Sequence, residues 1–113
     1  MHTIKKLGSN FINSVQGLKV LWGEHSFRVE CYIFAPLTLL LFWLDFSTTE
    51  RLIALVLMCL VLVVEGLNTA IEIVCNRITT EYDEGIKAAK DVASASVMLM
   101  NTALLFYVIF ILI

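Results

Sequence analysis

The chain has 113 residues and a mass of 12.7 kDa, with 59% apolar residues, 16% charged residues and a mean hydropathy of +0.87. An average soluble domain is nearer half apolar and a quarter charged, and a chain this short cannot bury such an apolar excess against itself. A water-soluble monomer, a disordered chain and a collagen-like fibre are excluded, which leaves a polytopic membrane protein built as one domain, residues 1–113. The net charge of −2 supplies no basic field for nucleic acid. Cys31, Cys59 and Cys75 are odd in number and set in apolar stretches, so they read as buried free thiols.

The first element is amphipathic. Ile4, Leu7, Phe11, Val15, Leu18 and Leu21 recur at helical spacing, with Lys5, Lys6, Ser9, Asn13, Gln16 and Lys19 between them. This predicts a surface helix over about 3–22, lying on the membrane with its basic residues in water. Gly23 ends or bends it. Three apolar stretches follow and predict spans over about 28–45, 51–76 and 91–113. The first is interrupted by Pro36 and Thr38 and is long enough only if it recruits residues 27–30. The second is purely apolar from Leu52 to Val64 and continues as EGLNTAIEIVC. A very short outer hairpin, about Asp45 to Arg51, joins these two. The polar segment from Arg77 to Lys90 reads as a helix end, a turn and a helix start. Of the eight Lys and Arg residues, all but Arg51 fall on one side of the spans. That side is predicted to be cytoplasmic, with the N-terminus inside and the C-terminus outside.

The chemistry lies where an apolar span should carry none. Glu65, Asn68 and Glu72 are spaced i, i+3, i+7 and share one narrow helical face, which Asn76 extends. Counted from Leu52 at ~1.5 Å per residue, Glu65 lies ~20 Å into the span and Glu72 near its cytoplasmic edge. A carboxylate at such depth costs at least ~2.5 kcal/mol, so it usually faces a protein interior and marks a site. The bland alternative is interhelical glue, which two carboxylates and an amide on one stripe make less favourable. At the mouth of the third span, Lys90 and Asp91 precede a face made of Asp91, Ser94, Ala95, Met98 and Thr102. Lys90 alone would be a snorkelling anchor and Asp91 a helix-start charge. Beside a carboxylate-bearing span they also suit a phosphate and metal site. Glu24, Arg28 and Glu30 lie at the base of the first span, and His25, alone, reads as a solvated interfacial residue. No Walker loop, Gly-rich kinase loop or nucleophile elbow is present. Phosphates handled here must be handled by carboxylates, a lysine, helix ends and Mg²⁺.

These residues resemble a known family. E-x-L-N-T-A-I-E, then R-I-x-x-E-Y, then A-K-D-x-x-S-A, with SFRVE before the first span and FWLD at its outer end, resemble the prokaryotic diacylglycerol kinases over essentially the whole chain. The resemblance implies a multi-pass, all-α protein of the bacterial inner membrane. It implies a homotrimer of three spans per subunit plus a surface helix, with active sites shared between subunits. It implies MgATP-dependent phosphorylation of a membrane lipid hydroxyl. By the same resemblance Glu65 is the catalytic base, and Glu24 and Glu72 are metal ligands. Lys6, Asn13, Glu24, Glu72, Glu81, Asp83, Lys90 and Asp91 are nucleotide contacts. Glu65, Asn68, Ser94, Arg28, Glu30 and Trp43 are lipid contacts. The chain departs from the family pattern in having Asn76 for Asp, Asp83 for a frequent His, Lys6 for Arg and Asn13 for an aromatic residue. The expected lipid is 1,2-diacylglycerol. The competing readings are an undecaprenol kinase of the same family and a non-enzymatic helix-bundle subunit whose polar stripe lines a pore or binds a partner.

Overall fold

The computed structural model describes residues 2–113 as four helices: α1 (His2–Trp22), α2 (His25–Trp43), α3 (Thr48–Ile78) and α4 (Glu84–Leu112). The protein is all-α, and α2, α3 and α4 are each long and apolar enough to cross a membrane. At ~1.5 Å per residue α3 is ~46 Å long. That exceeds the ~30 Å of a typical hydrocarbon core.

No residue of α1 is buried. Its apolar stripe is mostly exposed, as expected of a helix that lies on a membrane surface, and only its end is covered, where half-buried Leu21 approaches Gly66 of α3. It ends where Gly23 N–H donates to the Val20 carbonyl, and a Cβ at Gly23 would stand 3.1 Å from that carbonyl oxygen. The close approach explains the glycine. Trp22 and Tyr32 then meet edge to face, 6.0 Å between centroids, and join α1 to α2. Within α2, Pro36 removes one backbone donor without ending the helix. Membrane helices tolerate this when nearby groups re-satisfy the backbone. The carbonyl that loses its helical donor is that of Tyr32, whereas the Thr38 hydroxyl back-bonds to the Phe34 carbonyl at 2.8 Å.

The turn between α2 and α3 is tighter than the sequence predicts. The expected hairpin of Asp45 to Arg51 shrinks because S-T-T-E forms a capping box. Ser47 N–H donates to Glu50 Oε1 at 2.9 Å, and Glu50 N–H donates to Ser47 Oγ at 3.1 Å. Helix α3 therefore begins at Thr48. Arg51, the basic residue that stands apart from the others, closes the end of α2. Its Nε donates to the Leu41 carbonyl at 2.9 Å and its Nη2 to the Leu44 carbonyl at 3.0 Å. Both carbonyls lie at a helix C-terminus, where a cation is favoured, and that of Leu44 also accepts from the Phe46 N–H at 3.0 Å. Arg51→Ala leaves both without that donor and is expected to destabilise the fold by about 1.5–3 kcal/mol, the range for hydrogen bonds to charged groups. Thermal unfolding in detergent would reveal the loss, and an unchanged transition would remove the clamp.

Helices α3 and α4 run antiparallel and form the main packing surface. A five-residue turn, 79–83, joins them, and Asp83 caps α4 by accepting from the Ile86 N–H at 2.9 Å. The core is Leu41, Ala54, Met58, Val61 and Leu104, with Ala54 and Val61 wholly enclosed. Between membrane helices, close approach at such small residues takes the place of the hydrophobic effect. The three cysteines are not all buried as the sequence predicts. Cys75 is buried, but Cys31 is half-buried and Cys59 is exposed, because Cys59 lies on the α3 face turned away from α4 and α2 covers it only in part.

Candidate functional site

Near the 79–83 turn, α3 and α4 face each other with polar side chains. Lys90 Nζ donates to Asn76 Oδ1 at 2.6 Å across the pair. Asn76 is the position to which the sequence assigns no charge. A neutral acceptor holds the ammonium in place without adding a countercharge of its own. One turn further in, Asn68, Glu72, Lys90, Asp91 and Ser94 line a polar cleft of about 240 Å³. Helical spacing explains the gathering: Asn68 and Glu72 are i, i+4 on α3, and Lys90 and Ser94 are i, i+4 on α4. Asp91 is held by Lys87, Nζ to Oδ2 2.7 Å, within one helical face. Both side chains are mostly exposed, so the pair contributes only ~0.3–0.5 kcal/mol and yields readily to another partner.

Deeper in the bundle lies a second polar group. Glu65 is only 5% exposed. The Glu30 carboxyl of α2 is close enough to interact with it as a second carboxyl group, with no hydrogen bond between the two. Asn101 of α4 donates from Nδ2 to Glu30 Oε1 at 3.5 Å, while Glu30 Oε2 is buried without a partner. Three helices thus bring one polar side chain each to one point inside the apolar region. Sequence reasoning places Glu30 at the base of the first span and does not pair it with Glu65. Asn101 stands out in the sequence only as one of four polar residues in the third span, with no role attached. A signal was available: Asn101 lies seven residues from Ser94, two turns along the same face of α4.

Other expected site residues stand apart from the cleft within one chain. Glu24 sits exposed in the turn between α1 and α2, where its N–H donates to the Leu21 carbonyl at 2.9 Å. His25 is exposed in the next residue, as the solvated reading expects. Arg28 is half-buried in the first turn of α2. Lys6 and Asn13 are exposed on α1. Glu81 lies in the 79–83 turn, with its N–H on Thr79 Oγ1 at 3.0 Å, and Asp83 is taken up as a helix cap. Trp43 is 86% exposed at the far end of α2. It is ~20 Å along the helix from Glu30, which follows from thirteen residues at 1.5 Å each.

Among the described residues no three His, Cys, Asp or Glu side chains gather closely enough to hold a metal ion alone. The cleft offers two carboxylates, Glu72 and Asp91. Mg²⁺ usually takes one or two protein carboxylates and completes its shell with phosphate oxygens and water. The donor set therefore fits a cation that arrives with a polyphosphate.

Comparison with known proteins bears on this geometry. Residues 12–112 match the family described as prokaryotic diacylglycerol kinase. The diacylglycerol kinase of Escherichia coli strain K12 is 38% identical over 87 residues, covering 76% of this chain and 71% of that protein. The diacylglycerol kinase of Haemophilus influenzae is 40% identical over 87 residues, covering 76% and 74%. That of Pseudomonas aeruginosa is 38% identical over 74 residues, covering 66% and 60%. With nearly its whole length matched, the chain belongs to the prokaryotic diacylglycerol kinase family.

Proposed function

We propose that the protein is an ATP-dependent lipid kinase of the bacterial inner membrane, which converts 1,2-diacylglycerol to phosphatidic acid. One observation carries the reading: the polar cleft of Asn68, Glu72, Lys90, Asp91 and Ser94 opens just above the buried Glu65. A triphosphate approaching from the 79–83 turn meets Lys90 as a fixed positive charge, and Lys87 is one turn away. A lipid hydroxyl held at the headgroup boundary comes down to the level of Glu65. Glu65 takes the hydroxyl proton as the lipid oxygen forms its bond to the γ-phosphorus and the bond to the departing ADP oxygen breaks. Water is excluded from this level by the apolar helices, which favours transfer to the lipid over hydrolysis. Glu72, with Glu24, would hold Mg²⁺, which when bound neutralises the phosphate charge. Asn68, Ser94 and Arg28 are assigned to the lipid headgroup, Glu81 and Asp83 to the nucleotide, and Lys6 and Asn13 to the nucleotide from α1. Trp43 is assigned to the distal part of the lipid.

The proposed assembly is a homotrimer with shared sites. Glu72 and Asp91 are exposed on the isolated chain although they flank apolar helices, and α4 presents most of its apolar surface outward. Neighbouring copies would cover these surfaces and bring in groups, such as Glu24, that one chain leaves outside the cleft. The decisive experiment incubates purified protein with γ-labelled ATP and either diacylglycerol or undecaprenol. Label is expected in phosphatidic acid. Label only in the polyprenyl phosphate would reassign the substrate, and label in neither would favour a non-enzymatic bundle. Orientation is tested separately. The excess of Lys and Arg on one side puts the N-terminus in the cytoplasm and Ile113 outside. A reporter fused after Ile113 is expected to be active externally, and cytoplasmic activity would overturn the proposed orientation.

A further inference from the structure

We propose that Asn101 is a positioning residue for the reaction, one that orients the Glu30 carboxyl against Glu65. This role rests on the kinase reading above. Register supports it. Lys90 and Asn76 mark one level of the antiparallel α3–α4 pair. Asn101 and Glu65 each lie eleven residues deeper on their helices, about 16 Å at 1.5 Å per residue, and so share a second level. At that level the Asn101 amide donates across to Glu30 Oε1. Between Val97 and Phe106 the other polar side chain of α4 is Thr102, whose hydroxyl is spent locally on the Met98 carbonyl at 2.8 Å. Asn101 is therefore the group by which this stretch of α4 reaches the carboxyls.

The chemistry suits the residue type. An amide supplies a donor without a second charge, whereas an ionised side chain at this depth would cost several times more. The bond is long at 3.5 Å, as catalytic hydrogen bonds often are before substrate closes the site. The contact to Oε1 restrains the carboxyl at one oxygen and leaves Oε2 buried and without a hydrogen-bond partner. Displacing a supporting group by about 1 Å can cost up to ~10²-fold in rate.

The test compares Asn101→Leu with the parent protein, alone and in a Glu30→Gln background. Asn101→Leu is expected to lower kcat about 10- to 100-fold, with the KM for ATP unchanged and the assembly intact. In the Glu30→Gln background the same substitution is expected to add little, because it acts through a group already altered. Asn101→Gln, which keeps the donor, is expected to restore part of the lost turnover. Equal turnover per folded protein in Asn101→Leu, or full additivity with Glu30→Gln, overturns the positioning role and leaves the kinase reading standing. A parent protein that labels no lipid overturns both. If Asn101→Leu fails to assemble, Asn101→Ala removes the amide without adding bulk. Loss of assembly in both variants identifies Asn101 as a structural tie instead.

Discussion

Glu65→Gln is expected to lower kcat by a factor on the order of 10²–10⁴, the usual contribution of a general base, while MgATP still binds. Glutamine keeps the shape of the side chain and loses the proton acceptor. The site that would bind nucleotide lies nearer the 79–83 turn, around Glu72, Lys90 and Asp91, and is not altered. Stability is expected to hold or rise. Glu65 is almost completely buried, and a neutral amide costs less there than a carboxylate. An interhelical tie predicts the opposite pattern, with assembly lost and activity falling only in proportion. Turnover, nucleotide affinity and thermal stability measured on one preparation separate the two. Near-normal turnover per folded assembly would remove Glu65 from the role of base.

The architecture was legible because membrane helices announce themselves by length and apolarity, and α3 and α4 carry little else. Helix α2 is the weaker case, with a mean hydropathy of 1.3 against 2.3 and 2.2 for the others. It reads as a span only when residues before Cys31 are counted. The start of α3 at Thr48 is hard to read in the sequence because Ser47 to Glu50 is polar and looks like loop, although the same four residues form a capping box. The candidate site was legible in its local part. Periodicity on one helix places Asn68 and Glu72 together, and likewise Lys90 and Ser94. Which faces meet was not legible, since that depends on helix register and rotation. The Lys90–Asn76 bond, the approach of Glu30 to Glu65 and the role of Asn101 all arise between helices. Spacing along one helix carries no direct sign of them.

Glu72→Gln is expected to abolish or severely weaken both activity and metal-dependent nucleotide binding. Glu72 lies in the polar cleft beside Lys90 and Asp91, and it is exposed on the isolated chain, so its carboxylate is free to meet a cation. An amide oxygen presents no net charge, and a cation that binds through only one or two carboxylates tolerates the loss of one poorly. The fold is expected to survive, because Glu72 makes no ion pair or side-chain hydrogen bond among the described residues, and a neutral amide near the membrane edge is the cheaper group. Titrating Mg²⁺ against nucleotide binding in the parent protein and in Glu72→Gln distinguishes metal binding from simple charge. If Glu72 holds the metal, Mg²⁺ no longer enhances nucleotide affinity in the variant, and excess Mg²⁺ recovers activity only in part. If Glu72 merely adds negative charge to the cleft, its removal lets the triphosphate bind more tightly to Lys90 without metal, and the Mg²⁺ response persists. An active variant with an unaltered Mg²⁺ response would exclude Glu72 as a ligand and move the metal to Asp91 or to carboxylates of a neighbouring copy.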